Sequence, residues 1–208
     1  MKTKTYKVTL KFSTPILGSQ SADPEITSKF AAKRAGLDEP IVGSDECLPD
    51  DIDKGTTVFQ RVPAGRPHAG EPCFVNYQVL GFLKEAGKVL NGKVEGGVKN
   101  LRSKVASYIQ VVDRHIPITP PNGKPITDLI DYLERPLRAE TMQGPRTALA
   151  RSEMLPEGCS ITFGLEVIDS EITLAVLHDL FSYGWMRGLG QWRASGAYGT
   201  FSYAIEEE

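Results

Sequence analysis

Four glycines stand between an apparent helix and an apparent final strand near the C-terminus of the chain. Glycine can adopt positive φ angles and allows another chain segment to approach the backbone closely. The N–H groups of such a loop can face a phosphate or another backbone segment. The pattern therefore predicts either a loop that holds an anionic ligand or a tight connection that needs glycine for geometry alone. The glycines are Gly188, Gly190, Gly196 and Gly199.

The same run carries side chains suited to nucleic acid. Arg193 would add a positive charge, while Trp192 and Tyr198 could stack on bases or close the hydrophobic core. A basic, aromatic glycine loop is one recurrent way to hold single-stranded nucleic acid. On composition alone, the tight helix-to-strand connection is the commoner explanation.

The order of apolar patterns along the chain indicates one α+β domain over residues 1–208. Residues 5–12 alternate apolar and polar side chains as a half-buried strand does, and residues 77–90 have helical spacing. The order resembles an elaborated ferredoxin-like antiparallel sheet with helices on one face. Strands are predicted over 5–12, 108–118, 134–142, 147–154, 160–168 and 192–205, and helices over 24–35, 77–90, 98–107 and 171–186.

Two irregular segments interrupt this order. Residues 36–72 are rich in Gly, Pro and Asp and predict a long, loop-rich insertion with little capacity to form core, mobile until it meets a partner. Residues 144–146, Gly-Pro-Arg, predict the turn of a hairpin.

Composition limits the classes of function. The net charge of −2 counts against a protein that binds nucleic acid by bulk electrostatics. No apolar run approaches the roughly 18 residues of a membrane span, and the N-terminus has no hydrophobic signal core, so we expect a cytoplasmic protein. Cys47, Cys73 and Cys159 are widely spaced, which predicts inert thiols and neither a disulfide framework nor a zinc site. No cofactor or metal is indicated.

The charge is nevertheless uneven along the chain. Basic residues outnumber acidic ones between Lys99 and Arg151, whereas acidic residues concentrate in 38–53 and 206–208. One basic face on a slightly acidic protein is compatible with a positioned nucleic-acid groove.

Four segments in order resemble the RAMP superfamily, the ferredoxin-like RNA-binding proteins of CRISPR systems, and in particular the backbone subunits that line a guide RNA. The resemblance covers most of the chain except residues 19–72 and 119–133, and it implies an RNA-binding, antiviral-defence role. Val8 to Gly18 is similar to the family's first strand and turn, and Tyr77 to Lys84 is similar to its turn-to-helix motif. Ser152 to Phe163 is similar to its strand, Pro-x-Gly turn and following strand. Gly188 to Gly199 is similar to its terminal glycine loop.

The stretch from Arg135 to Arg146 also resembles a group of uncharacterised phage and prophage proteins of similar size. A phage origin would imply a second class of function. The chain would then interfere with host defence by binding a protein complex, in the manner of an anti-CRISPR protein.

Catalytic chemistry has weak candidates. His115 could act as a general base, and Asp23 with Asp50, Asp51 and Asp53 could hold a divalent metal. No acid-His-nucleophile spacing appears around His115, His68 or His178, so surface or structural roles are the commoner explanation for each.

We therefore predict a non-catalytic protein that binds single-stranded RNA or a CRISPR-type ribonucleoprotein. Further options are self-association along RNA and contact with a defence-complex subunit. The alternatives are a phage counter-defence protein and an endoribonuclease. The predicted nucleic-acid site consists of Arg135, Arg138, Arg146, Arg151, Gly188, Gly190, Trp192, Arg193, Gly196, Tyr198 and Gly199.

Overall fold

The computed structural model describes residues 3–23, 56–121, 125–141, 144–168 and 171–208, with the side chains of 137–148 not among those described. The predicted helix over 24–35 lies outside these residues. The described strands are β1 Lys4–Phe12, β2 Ile16–Leu17, β3 Gln20–Ser21, β4 Thr56–Val58, β5 Gln60–Arg61, β6 Pro72–Val75, β7 Ile109–Val111, β8 His115–Pro117, β9 Asp131–Thr141, β10 Gly144–Leu155, β11 Ser160–Val167 and β12 Phe201–Glu207. The described helices are α1 Asn76–Val89, α2 Leu101–Tyr108, α3 Leu174–Ser182 and α4 Gly184–Arg187, with 3-10 turns at Glu95–Gly97 and Ile126–Leu129.

The central sheet has the ferredoxin-like arrangement. Its strand order is β12-β1-β11-β7, and every neighbouring pair is antiparallel. Helices α1 and α2 lie between β1 and β7 in the chain, and α3 and α4 lie between β11 and β12. This is the βαββαβ order with strands in the spatial sequence four, one, three, two. The predicted α+β, ferredoxin-like fold class is confirmed.

Alternation along the two central strands explains why the sheet has one buried face. In β1, Tyr6, Val8, Leu10 and Phe12 are buried, and the residues between them are more exposed. Because side chains alternate across a strand, one face of β1 is apolar and must be covered. Strand β11 repeats the pattern with Ile161, Phe163, Leu165 and Val167.

Helices α1 and α3 cover this apolar face with their own apolar stripes. The stripe of α1 includes Phe82, whose ring lies 5.2 Å from that of Phe201 on β12. Thr173 caps the N-terminus of α3, because its hydroxyl oxygen accepts a hydrogen bond from the N–H of Val176 at 3.3 Å. Such a cap satisfies one of the free N–H groups of the first turn. No helix among the described residues is long and apolar enough to cross a membrane.

A second sheet is built around the long hairpin of β9 and β10. Beyond β9, strand β10 pairs with β2 and, in parallel, with β4, and β3 pairs with β4. The predicted hairpin is confirmed, but its predicted turn at 144–146 is wrong. Gly144 pairs with Thr141, so residues 144–146 belong to β10 and the strands are longer than predicted.

The predicted insertion at 36–72 is not loop throughout. Residues 36–55 lie outside the described part, but 56–58 and 60–61 form β4 and β5, and Phe59 and Val62 are buried. The buried carboxylate of Glu153 on β10 holds this segment, because it accepts hydrogen bonds from the Phe59 N–H at 2.8 Å and from Arg61 at 2.5 Å. The apolar residues within the Gly- and Pro-rich composition therefore do contribute to the core.

The last third of the chain differs from prediction in two boundaries. The helix predicted over 171–186 is divided at Tyr183 into α3 and α4. The final strand starts at Phe201 instead of residue 192. The ring of Phe201 occupies the space where a side chain at Gly184 would lie, which ties α4 to β12 at the point where the glycine run ends.

Candidate nucleic-acid interface

The glycine loop, defined here as residues 188–200, folds back against the turn that follows β1. The N–H of Gly199 donates to the carbonyl of Pro15 at 2.9 Å, and the N–H of Gln191 donates to the carbonyl of Leu17 at 3.3 Å. The Thr14 hydroxyl accepts from the N–H of Thr200 at 2.9 Å. The loop is therefore anchored to the turn that follows β1 and to β2 of the second sheet.

Gly188 and Gly199 are needed where the loop crosses itself. Their φ angles are 58° and 68°. A β-carbon on Gly188 would lie 2.5 Å from the carbonyl carbon of Gly199, and one on Gly199 would overlap the carbonyl oxygen of Leu189. At this crossing the Leu189 N–H donates to the Gly199 carbonyl at 2.8 Å. A side chain at either position would separate the two segments.

More N–H groups of this loop donate hydrogen bonds within the protein than predicted. Six of them already donate within the chain, so they do not form an open cradle for phosphate. Gly196 also differs from the expectation, because its φ is not positive and a β-carbon there would meet the Tyr198 ring at 2.6 Å. The six donors are the N–H groups of Gly188, Leu189, Gln191, Gly196, Gly199 and Thr200.

Arg135 joins the hairpin to the glycine loop through both aromatic residues of the loop. Its guanidinium carbon lies 4.7 Å from the ring centroid of Trp192 and 5.2 Å from that of Tyr198. Its Nη2 also donates to the Tyr198 hydroxyl at 3.2 Å. Both rings are half-buried. We call Arg135, Trp192 and Tyr198 the aromatic platform. Sequence reasoning selected all three residues but not their mutual contact.

A shared carboxylate holds the positive charges beside this platform. Glu85 on α1 accepts from Arg187 with one oxygen and from Arg193 with the other, each at 2.7 Å. The hydrogen bond to Glu85 raises the pKa of Arg187 above its usual value. Two guanidinium groups on one carboxylate leave one excess positive charge. Sequence reasoning missed Glu85 and Arg187, and only their helical positions facing the glycine run could have indicated them.

The hairpin carries its described arginines on opposite faces. Arg135 contacts the platform, whereas Arg151 lies 4.0 Å above the centroid of the Tyr132 ring and 3.7 Å from a Glu134 oxygen. Residues 135 and 151 are not partners in the β9–β10 register, since Arg151 pairs with Glu134. These two arginines therefore cannot contact one phosphate on one face.

Arg138 and Arg146 lie towards the hairpin end. In the register, Arg138 is opposite Thr147 and Arg146 is opposite Ala139. Their side chains lie outside those that the structure describes. The backbone thus places both residues on the same projecting hairpin as Arg135, beyond the platform.

The open face of the central sheet has no aromatic residue on its four strands, all of which are fully described. Thr9 at its centre contacts Thr162 through their hydroxyl oxygens at 3.0 Å. RNA-binding sheets of the RRM type stack bases on aromatic residues of this face. Such stacking is impossible here, so the aromatic platform is the better candidate. The rows of this face are Lys7 with Gly164 and Glu206, Thr9 with Thr162 and Ala204, and Lys11 with Ser160 and Ser202.

The catalytic candidates that the structure describes do not come together. His115 lies on β8, His68 pairs with Glu71 at 3.0 Å, and His178 contacts the Tyr203 hydroxyl at 3.3 Å. Asp23 lies beyond β3, where its N–H donates to the Ser21 hydroxyl, and Asp50, Asp51 and Asp53 lie outside the described residues. No three His, Cys, Asp or Glu side chains of the described ranges form a group that could hold a metal. Cys73 and Cys159 are buried, which raises the pKa of each thiol to about 11.

His115 should make the stability of the protein sensitive to mild acid. Burial first, and then the charges of Arg66 and Arg114, lower its pKa from 6.5. Its Nδ1 is buried without a hydrogen-bond partner among the described residues. As the pH falls past 6.5, the unfolded chain gains a proton before the folded chain does, so the free energy of unfolding should decrease. We expect the free energy of unfolding of His115→Gln to decrease less over the same pH range.

Urea unfolding of the wild type and of His115→Gln at pH 7.5 and at pH 5.5 measures the difference. An equal decrease in both proteins would contradict the lowered pKa.

No known protein-family model matches the chain, and no curated protein sequence matches it. Solved structures with a similar fold were found. The fold is similar to that of a chain in a type IV-B CRISPR complex, with a TM-score of 0.53 and 11% identity, over 97% of this chain and 90% of that one. It is also similar to a chain from the cryo-EM structure of type III-B Cmr-beta bound to cognate target RNA, with a TM-score of 0.51 and 12% identity. That match covers 99% of this chain and 61% of the other.

At identities this low, the similarity establishes a shared fold. The chain therefore has the RAMP-like fold seen in subunits of CRISPR complexes. The predicted resemblance to the RAMP superfamily is confirmed at the level of the fold.

Proposed function

We propose that this protein is a non-catalytic, RNA-binding component of a CRISPR-type ribonucleoprotein, encoded by a host or a phage. The observation that carries the proposal is the aromatic platform, in which Arg135 of the hairpin lies against Trp192 and Tyr198 of the glycine loop. A single-stranded RNA is held where these two elements meet.

The fold supports this proposal. One similar chain belongs to a type IV-B CRISPR complex and the other to a type III-B assembly bound to target RNA. The two similarities extend over 97% and 99% of this chain.

The platform supplies the stacking surface that RNA recognition requires. Bases of single-stranded RNA stack on aromatic rings and on guanidinium planes. The contacts of Arg135 fix the two rings relative to each other before RNA arrives, which reduces the conformational entropy lost on binding. Because every base has a π-face, such a platform binds RNA with little sequence preference.

The charges around the platform suit a phosphate backbone. Arg187 and Arg193 share Glu85, which leaves their pair with one positive charge in excess. A phosphate near this pair would accept hydrogen bonds from the guanidinium groups, as the carboxylate does. Of the two arginines nearer the hairpin end, Arg146 is opposite Ala139 and so occupies a position on the same strand face as Arg135, whereas position 138 is on the other face.

Replacement of Arg138 and Arg146 together by Ala should weaken binding of single-stranded RNA without unfolding the protein. The register sets positions 138 and 146 on opposite faces of the hairpin, so one strand of RNA contacts one of them. One lost phosphate contact should reduce the slope of log affinity against log salt by about 0.7. Fluorescence anisotropy with a labelled RNA of mixed sequence, over a series of salt concentrations, measures this slope.

Arg102→Ala is the matched control, since Arg102 is an exposed arginine on α2, away from the hairpin. An unchanged slope for the double variant would remove the hairpin from the RNA site. No RNA binding by the wild type, together with capture of a host complex from lysate, would favour the counter-defence function instead. Shortened RNA after incubation would favour the endoribonuclease.

A further inference from the structure

The glutamine that precedes Trp192 in the glycine loop is held by two hydroxyl groups. The Thr57 hydroxyl of β4 donates to the Gln191 Oε1 at 2.6 Å, and the Ser152 hydroxyl of β10 donates to the same oxygen at 3.1 Å. A separation of 2.6 Å is typical of an O–H···O bond and shorter than most N–H···O bonds, so the amide oxygen faces the hydroxyls. The side-chain amide of Gln191 therefore has a fixed orientation.

The other end of this amide has no partner within the protein. No group of the described residues is hydrogen-bonded to the Gln191 Nε2. This nitrogen is also not one of the buried polar atoms that lack a partner, so solvent reaches it. An amide nitrogen carries two N–H donors. Gln191 can therefore donate hydrogen bonds to a ligand, whereas its acceptor oxygen is already occupied.

These donors lie on the same face of the hairpin as the aromatic platform. Ser152 and Ala150 are alternate residues of β10 and share a face, and Arg135 is opposite Ala150 in the register. Ser152 holds Gln191 on this face, and Arg135 holds Trp192. Diagonal neighbours on one sheet face are only about 7–8 Å apart. The amide of Gln191 is thus within reach of a nucleotide whose base stacks on Trp192.

The aromatic platform alone gives RNA no advantage over DNA. Bases of both stack on aromatic rings, and both have a phosphate backbone. The 2′-hydroxyl is the group that allows a protein to distinguish RNA from DNA. This hydroxyl is attached to the sugar, which lies beside a stacked base and not over the ring beneath it. An N–H donor beside the platform is suited to the oxygen of this hydroxyl.

We propose that the Gln191 amide donates a hydrogen bond to the ribose 2′-oxygen of the nucleotide stacked on Trp192 and thereby selects RNA over DNA. This inference rests on the proposed function, because it requires a nucleic acid on the aromatic platform. A glutamine with both ends free can instead recognise adenine through two hydrogen bonds, one of which needs the amide oxygen. The hydroxyls of Thr57 and Ser152 exclude that role here, because they occupy this oxygen.

Fluorescence anisotropy with a single-stranded RNA and with a DNA of the same sequence, containing deoxyuridine in place of thymidine, tests the proposal. The measured quantity is the ratio of the RNA affinity to the DNA affinity, and the wild type should prefer RNA. Gln191→Glu keeps an oxygen for Thr57 and Ser152 but has no N–H donor. Its ratio should be about 2- to 12-fold lower, which is the contribution of one hydrogen bond. Gln191→Met, with an apolar side chain of similar length, should show the same decrease.

The ratio separates a contact with the ribose from a structural role of Gln191. A distorted loop, or the negative charge of the glutamate, should weaken the binding of RNA and DNA alike and leave the ratio unchanged. Gln110→Met is the matched control, since Gln110 is an exposed glutamine on β7, and it should keep the wild-type ratio. Circular dichroism of each variant shows whether the fold is retained.

Each result either supports the inference or overturns it. Variants of Gln191 that keep the wild-type ratio would overturn the inference and leave the proposed function standing. A wild type that binds RNA and DNA equally would also overturn it, although the platform would still bind a single strand. A wild type that binds neither would overturn the proposed function and this inference together.

Discussion

Gly199→Val should lower the free energy of unfolding by about 2–6 kcal/mol, the largest effect on stability expected of a change in the glycine loop. A β-branched residue held at positive φ costs about 1–3 kcal/mol, and forced overpacking costs about as much again. At Gly199 both costs apply, because φ is 68° and the added β-carbon would overlap the Leu189 carbonyl. A loss of this size is a large part of the roughly 5–15 kcal/mol that stabilises a typical domain.

Urea unfolding followed by circular dichroism measures the loss. Gly81→Ala is the matched control, since Gly81 lies on an exposed part of α1 with nothing near its β-carbon position and should gain up to about 1 kcal/mol. A Gly199→Val protein as stable as the wild type would show that the two loop segments do not cross as described.

Trp192→Ala should weaken binding of single-stranded RNA by about 5- to 150-fold, since stacking of one base on an aromatic ring contributes about 1–3 kcal/mol. Arg135→Ala should weaken binding as well, because it removes the group that joins Trp192 to Tyr198. Arg193→Ala should have a smaller effect, because Glu85 already neutralises much of that charge. Fluorescence anisotropy at one fixed salt concentration compares the three variants.

Circular dichroism of each variant shows whether the fold is retained, and Lys11→Ala on the open sheet face serves as a control for loss of one positive charge. If Trp192→Ala binds as the wild type does and Lys11→Ala binds weakly, the RNA site lies on the open face of the sheet.

The central sheet could be predicted from sequence because its signal is local. Alternation from Tyr6 to Phe12 and from Ile161 to Val167 specifies two half-buried strands without knowledge of their partners. Helix α1 was equally clear from its apolar spacing, which predicted a helix over 77–90 where the structure has Asn76–Val89. The helix break at Tyr183 has no local signal in the sequence, and the contact of the adjacent Gly184 with the distant Phe201 ring is visible only in the fold.

The contacts within the candidate site could not be predicted from local sequence patterns. The glycines were recognised as a loop, but the partners of its N–H groups, Pro15 and Leu17, lie more than 170 residues away in the chain. Glu85 was not selected because a glutamate on a helix has no distinguishing pattern, yet it organises two arginines. Fixed spacing cannot identify contacts that arise only when distant segments pack together.

Photo-crosslinking to a single-stranded RNA that carries 4-thiouridine, followed by mass spectrometry of tryptic peptides, tests the central claim most directly. Cleavage after Arg187 and Arg193 separates residues 188–193, which contain Trp192, from residues 194–208, which contain Tyr198. The proposed function predicts crosslinks at Trp192 and Tyr198 that disappear with excess unlabelled RNA. Crosslinks confined to the strand that carries Lys7 and Lys11, or none at any RNA concentration, would contradict it.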